Sequence, residues 1–252
     1  MNKSIKEVRY KIRISYDGLN YSGWQFQPDK TTIQGEIEKA LYKLGGNKIV
    51  KIEGSGRTDT GVHARYQVAH FDLKKPIHIT SYKASLNSIL NNDIRIHSLK
   101  KIKSNFHSRY DIKSKEYKYF IYNSKIIPAY LRNYSYHEHR KLNIEKMSEA
   151  AKLLVGKHDF SVFSVNPGYN VEDTTREIFK IDIKKRNSNI IISVIGNGFL
   201  YKMVRSIVGF LIDVGLGNFE PSSVKKIFIK EKRDKDVKTA PARGLFLWKV
   251  NY

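Results

Sequence analysis

The stretch Gly54-Ser55-Gly56-Arg57-Thr58-Asp59-Thr60-Gly61-Val62-His63-Ala64 concentrates groups that could do chemistry. Its three glycines permit backbone angles and close approaches that other residues resist. One carboxylate, Asp59, sits at the centre, with Arg57 two residues before it and His63 four after. A carboxylate held in a cleft by a neighbouring arginine stays ionised and oriented. In that state it can act as a nucleophile or stabilise developing positive charge. The same residues also suit a tight turn between two strands, with Asp59 bonding its own backbone. The residues alone leave both readings open.

The elements that would position this loop follow from periodicity. Tyr10, Ile12, Ile14 and Tyr16 share one face of an extended segment that Asp17-Gly18 ends. Thr31 and Gln34 have the spacing of a capping box, and Ile33, Ile37, Ala40, Leu41 and Leu44 form a helical stripe stopped by Gly45-Gly46. Strands are expected near Ile49–Ile52, Gln67–Leu73 and Ile94–Leu99, with a helix near Ser81–Leu90 between the last two. The second half repeats the order. Lys115–Tyr122 reads as a strand, and Asn143 caps a helix carrying Met147, Ala150, Ala151, Leu154 and Val155. Glu177, Phe179, Ile181 and Ile183 alternate along a strand, and Asn187-Ser188-Asn189 turns into the strand Ile190–Ile195. A helix runs from about Phe199 to Val214, Pro221 suits the first turn of a short extra helix, and Leu245–Val250 closes the chain.

Each half thus reads strand, helix, strand, strand, helix, strand. The expected fold class is α+β: two similar βαββαβ-type halves, mainly antiparallel sheet with helices on one face, and a central cleft between the halves. The expected boundaries are 1–105 for the half with the Asp59 loop and 115–252 for the half with Tyr117 and Arg205. The linker, 106–114, lies within the polar, basic stretch Ser104–Ser114. Asn166–Asp173 reads as a mobile loop.

The chain has 252 residues, 40% of them hydrophobic, enough for a sizeable core. Lys and Arg number 46 and Asp and Glu 24, a net charge of +22 that favours a polyanionic partner. Sixteen tyrosines and twelve phenylalanines add rings that could stack on unpaired bases. The absence of cysteine removes disulfides, thiolate metal sites and thiol nucleophiles together. His137 and His139 lack a third ligand at helical or finger spacing, so no metal is expected. No apolar run approaches the roughly 20 residues that a membrane span needs, and the charged start, Met1 to Lys6, is not followed by a signal-peptide core. The expectation is a cytoplasmic protein that does not engage membranes.

Five ordered blocks resemble one known family. The Asp59 stretch resembles the signature loop of the tRNA pseudouridine synthase A family, in which the aspartate is the catalytic group. Tyr16-Asp17-Gly18 and Tyr21-Ser22-Gly23-Trp24-Gln25 resemble its opening. Phe106-His107-Ser108-Arg109 and Lys115-Glu116-Tyr117-Lys118-Tyr119 resemble its central block. Phe199-Leu200-Tyr201-Lys202-Met203-Val204-Arg205 with Ile207-Val208-Gly209 resembles its third, although Tyr201-Lys202 stands where some relatives carry histidine. Ala240-Pro241-Ala242 with Gly244-Leu245 resembles its close. The blocks extend from near residue 10 to the C-terminus.

The resemblance implies a tRNA pseudouridine synthase acting at uridines 38, 39 and 40 of the anticodon stem-loop, with Asp59 as nucleophile. It implies that Tyr117 packs on or relays protons to the uracil, and that Arg205 pairs with Asp59 across the cleft. Arg57 competes for that pairing or holds the phosphate of a flipped nucleotide. Phe199 and Met203 either wall the base or are plain core. The resemblance also implies a homodimer that binds tRNA and not DNA. Moving the bond at C1′ from N1 to C5 needs no redox or energy cofactor, which fits a sequence without phosphate or dinucleotide loops. The alternatives are an inactive RNA-binding protein with the same fold and a hydrolase that releases free base. With +22 of charge, affinity for tRNA is expected to fall steeply as salt rises, the logarithm of the binding constant dropping about 0.7–0.9 per phosphate neutralised for each tenfold rise in salt. A salt titration of tRNA binding checks this; affinity that holds flat would show that the charge does not grip the backbone.

Overall fold

A computed structural model describes residues 7–166, 168, 171–230, 233 and 237–252. Within the expected loop Asn166–Asp173, Pro167, Tyr169 and Asn170 lie outside the described residues. The chain divides into two compact units, one of residues 1–113 with 247–252, the other of residues 114–246. No helix among the described residues is long and apolar enough to cross a membrane.

The first unit runs β1 (Val8–Tyr16), α1 (Ile33–Leu44), β2 (Ile52–Gly54), β3 (His63–Leu73), α2 (Ile79–Ile89) and β4 (Ile94–Lys101). β1 lies between β4 and β3, antiparallel to both, and β2 pairs antiparallel with β3. The even residues of β1, Tyr10 to Tyr16, are buried as the alternation requires. Burying each such side chain contributes roughly 1.5–3 kcal/mol. Helix α1 begins one residue later than the expected box: Thr32 is the cap, its side chain accepting from Gly35 N–H. Gln34 does not reach back to the cap. Its Oε1 accepts from Phe26 N–H and its Nε2 donates to the Ile52 carbonyl, so this buried residue ties α1 to β2.

The second unit runs β5 (Ser114–Asn123), β6 (Tyr136–Glu138), α3 (Ile144–Leu153), β7 (Gly156–Asp159), β8 (Thr175–Arg186), β9 (Asn189–Gly196), α4 (Met203–Gly215) and α5 (Ser223–Phe228). Strand β10 (Leu245–Asn251) follows, and residues 247–252 group with the first unit, where β10 lies beside β3. β9 is antiparallel to β5 and β8, and β8 to β7; β6 pairs parallel with β5. The short strands β6 and β7 are additions to the order read from the sequence.

Three local details differ from the sequence reading. A bulge between Ile178 and Lys180 in β8 puts Ile178, not Phe179, on the face shared by Ile181 and Ile183, and Phe179 is exposed. Val155, placed in the helical stripe, lies past the end of α3 and is exposed. Helix α4 starts at Met203 rather than Phe199, because Lys202 has a left-handed backbone that no α-helix continues. Every residue of α4 except Arg205 is buried. Asn143 caps α3 as expected, accepting from Lys146 N–H.

Residues 106–111 belong to the first unit, where Phe106 and Ser108 are buried. Ser108 is wholly buried, donates its hydroxyl to the Glu53 carbonyl at 2.6 Å and sends its backbone N–H to Nδ1 of His70 at 3.2 Å. Burial, with the Arg9 and His107 charges next in importance, pushes the His70 pKa down to about 4. An unfolded histidine titrates near 6.5. The unfolded chain therefore binds more protons between those values, and stability present above about pH 6.5 is lost as pH falls through that window. Burial acts in the same direction on His97, while Asp72, held low by Arg9, adds its loss only in more acid solution. The urea midpoint of unfolding is expected to fall between pH 6.5 and 4.5, and to fall less in His70→Gln; equal pH dependence in the two proteins would refute this assignment.

Candidate active site

Asp59 lies in the segment between β2 and β3, which an earlier part of the chain clamps. Trp24 N–H donates to the Thr58 carbonyl at 3.1 Å and Gly61 N–H to the Tyr21 carbonyl at 3.3 Å. The hydroxyls of Tyr16 and Thr58 share a hydrogen bond of 2.8 Å. Ser55 Oγ donates to Gln67 Oε1 at 2.5 Å, and Gln67 Nε2 donates to the Gly56 carbonyl at 2.9 Å. Val62 N–H closes the turn onto the Asp59 carbonyl at 3.1 Å. Asp59 itself is half-exposed, between buried Thr58 and exposed Thr60.

Two glycines outside the loop make this clamp sterically possible. A Cβ at Gly18 would lie 1.9 Å from the Val62 carbonyl oxygen. One at Gly23, whose φ is +85°, would lie 2.4 Å from the Thr58 carbonyl oxygen and 3.1 Å from the Asp59 carbonyl carbon. Within the loop, Gly61 takes φ +75°, and Gly54 lies flat against the Trp24 ring, 2.6 Å from where its Cβ would be.

His63, wholly buried, completes the base of the loop. Its Nδ1 lies 3.1 Å from the backbone nitrogen of Gly18. Asp17 Oδ1 stands 3.0 Å from the same nitrogen, an ion pair when the ring is protonated, and also accepts Leu19 N–H. His63 thus braces the chain at Gly18. Arg57 is exposed, and its Nε donates to Gln25 Oε1 at 3.1 Å.

Of the residues in the second unit, Tyr117 is on β5, buried, with its ring edge-on to Phe199 at 5.2 Å. Met203 is wholly buried and belongs to the core. Arg205 lies in the first turn of α4, and its Nε donates to the Ala240 carbonyl at 2.8 Å while Ala240 N–H returns to the Arg205 carbonyl at 3.0 Å. Sequence reasoning did not assign roles to Tyr16, Gly18, Gly23, His63 or Gln67. Glycines at 18 and 23, on either side of Tyr21, were the local signal.

The fold and this site define a class: an α+β chain with antiparallel sheet that presents one carboxylate on a glycine-rich, externally clamped loop. A family model described as tRNA pseudouridine synthase matches residues 12–111 and 150–252. A protein of Oceanobacillus iheyensis called tRNA pseudouridine synthase A is 42% identical over 97% of this chain and 96% of its own length. Proteins of Brevibacillus brevis and Bacillus cereus, called tRNA pseudouridine synthase A and tRNA pseudouridine synthase A 1, are each 41% identical over 97% of this chain and 99% and 98% of their own. This chain belongs to the tRNA pseudouridine synthase family.

The clamp yields a discriminating substitution. Gly23→Ala is expected to lower both the melting temperature and turnover, because the methyl group must push the Thr58–Asp59 backbone away. Gly46→Ala, at φ +65° with nothing within 4 Å, is expected to cost only the left-handed strain, roughly 1–2 kcal/mol, with turnover unchanged. Equal turnover in the two variants would show that the contact at Gly23 does not place Asp59.

Proposed function

We propose that this chain isomerises uridine to pseudouridine in transfer RNA, at uridines 38, 39 and 40 of the anticodon stem-loop, with Asp59 as the nucleophile. Family membership supports the reaction. The observation that favours Asp59 is its place in a loop whose backbone is fixed on both sides while its own side chain is left half-exposed. A nucleophile must be held, yet reachable.

The reaction breaks the bond from C1′ to N1 and makes one from C1′ to C5. The proton leaves C5 and N1 gains one, so no atom is lost overall. An ionised Asp59 attacks the nucleotide or stabilises positive charge as the glycosidic bond opens. Tyr117 supplies a ring against the uracil and a hydroxyl for proton relay. Arg57, exposed at the loop, suits a phosphate of the flipped nucleotide, and Arg205 supplies a fixed positive charge to the site. Flipping costs a few kcal/mol, offset by contacts of the basic surface with the RNA backbone. The enzyme works as a homodimer in the cytoplasm, on RNA and not on DNA.

The test uses tRNA tritiated at uridine C5 and the purified chain. Label release to water without free uracil is expected, together with its loss in Asp59→Asn at a tRNA affinity within about tenfold of wild type, roughly 1.4 kcal/mol. Free uracil would mean a hydrolase, no release by the unaltered chain an RNA-binding protein, and full release by Asp59→Asn a different nucleophile.

A further inference from the structure

We infer that Tyr16, backed by Gln67, is a positioning residue for Asp59 and acts through the hydroxyl of Thr58. The inference rests on the reading of Asp59 as the nucleophile.

Tyr16 ends β1, is buried to 4% exposure and packs against Trp24, with ring centroids 6.1 Å apart. Burying a hydroxyl without a partner costs about 1–3 kcal/mol, and a phenylalanine would fill the same space without that cost. What the hydroxyl does here is bond Thr58 at 2.8 Å, one residue before Asp59. Thr58 is thereby fixed twice, through its side chain by Tyr16 and through its carbonyl by Trp24 N–H. The Asp59 carbonyl is in turn held by Val62 N–H, so the backbone is pinned on both sides of the carboxylate's Cα.

Gln67 extends the same brace. It is wholly buried on β3, where it pairs in register with Ile14 of β1, two residues before Tyr16. It also receives Ser55 Oγ and Val68 N–H and donates to the Gly56 carbonyl. Ser55, Gly56 and Thr58 are thus tied to two buried side chains that stand on the paired strands β1 and β3. Fully satisfied polar networks of this kind fix one arrangement of their surroundings. Burial also raises the Tyr16 pKa, which keeps the phenol neutral and the hydrogen bond intact in mildly alkaline solution. Since a displacement of about 1 Å can cost about a hundredfold in rate, the brace acts on the chemical step more than on affinity.

The experiment measures single-turnover rate, tRNA affinity and melting temperature for Tyr16→Phe, Thr58→Val, the double variant and Thr58→Ser. Tyr16→Phe is expected to slow the reaction about ten- to a hundredfold with affinity unchanged. Thr58→Val should do the same, the double variant should be no slower than the slower single one, and Thr58→Ser should regain most of the rate. A wild-type rate in Tyr16→Phe would overturn the inference, whatever its melting temperature. So would losses that multiply in the double variant, or a loss confined to affinity. Asp59→Asn run alongside separates the two readings. If it stays active, the nucleophile assignment fails; if it is dead while Tyr16→Phe is normal, only the positioning role fails.

Discussion

At Gly18 and Gly23 the chain passes so close to the backbone of residues 58–62 that a methyl group at either position would overlap a carbonyl. The hydrogen bonds Trp24 to Thr58 and Gly61 to Tyr21 form only at that separation. The shape of the Asp59 loop is therefore imposed by residues 18–24, a segment distant in sequence. The loop's own glycines let it comply. β1 and β3 supply the frame, since Tyr16 on the one bonds Thr58 and Gln67 on the other bonds Ser55 and Gly56.

The second unit uses the same device. A Cβ at Gly209 would stand 2.1 Å from the Lys238 carbonyl, so the segment Lys238–Ala240 lies directly on α4. That approach allows the reciprocal pair of hydrogen bonds between Arg205 and Ala240. In both units the residue assigned to chemistry sits beside a glycine contact with a distant segment. The candidate residues thereby obtain fixed backbones without relying on long hydrophobic loops of their own.

Much of this was legible in the residues. The period-2 pattern of β1, the Asn143 cap and the core face of α4 follow directly from side-chain types, and the Asp59 loop stood out by its glycines and single carboxylate. What was not legible depended on geometry between distant segments. The bulge in β8 shifts alternation by one residue, which no pattern count detects before the pairing with β9 is known. Thr31 and Thr32 are equally good caps in sequence, and only the Gly35 N–H decides between them. Gln34 suited a capping box but bonds to Phe26 and Ile52, partners outside its helix. The brace of Tyr16 and Gln67 was hidden for the same reason: each reads locally as an ordinary strand residue.

A family of tRNA-modifying proteins and a carboxylate held by a distant frame converge on one reaction. Its physical demand is small in chemistry and large in placement, since the substrate is an isomer of the product and needs only to be opened and re-closed in register. The most direct measurement is a map of pseudouridine in transfer RNA from cells whose only copy of this gene carries Asp59→Asn. Unmodified uridines at 38, 39 and 40 in an otherwise normal tRNA pool are expected. Pseudouridine persisting at those positions would contradict the assignment of Asp59.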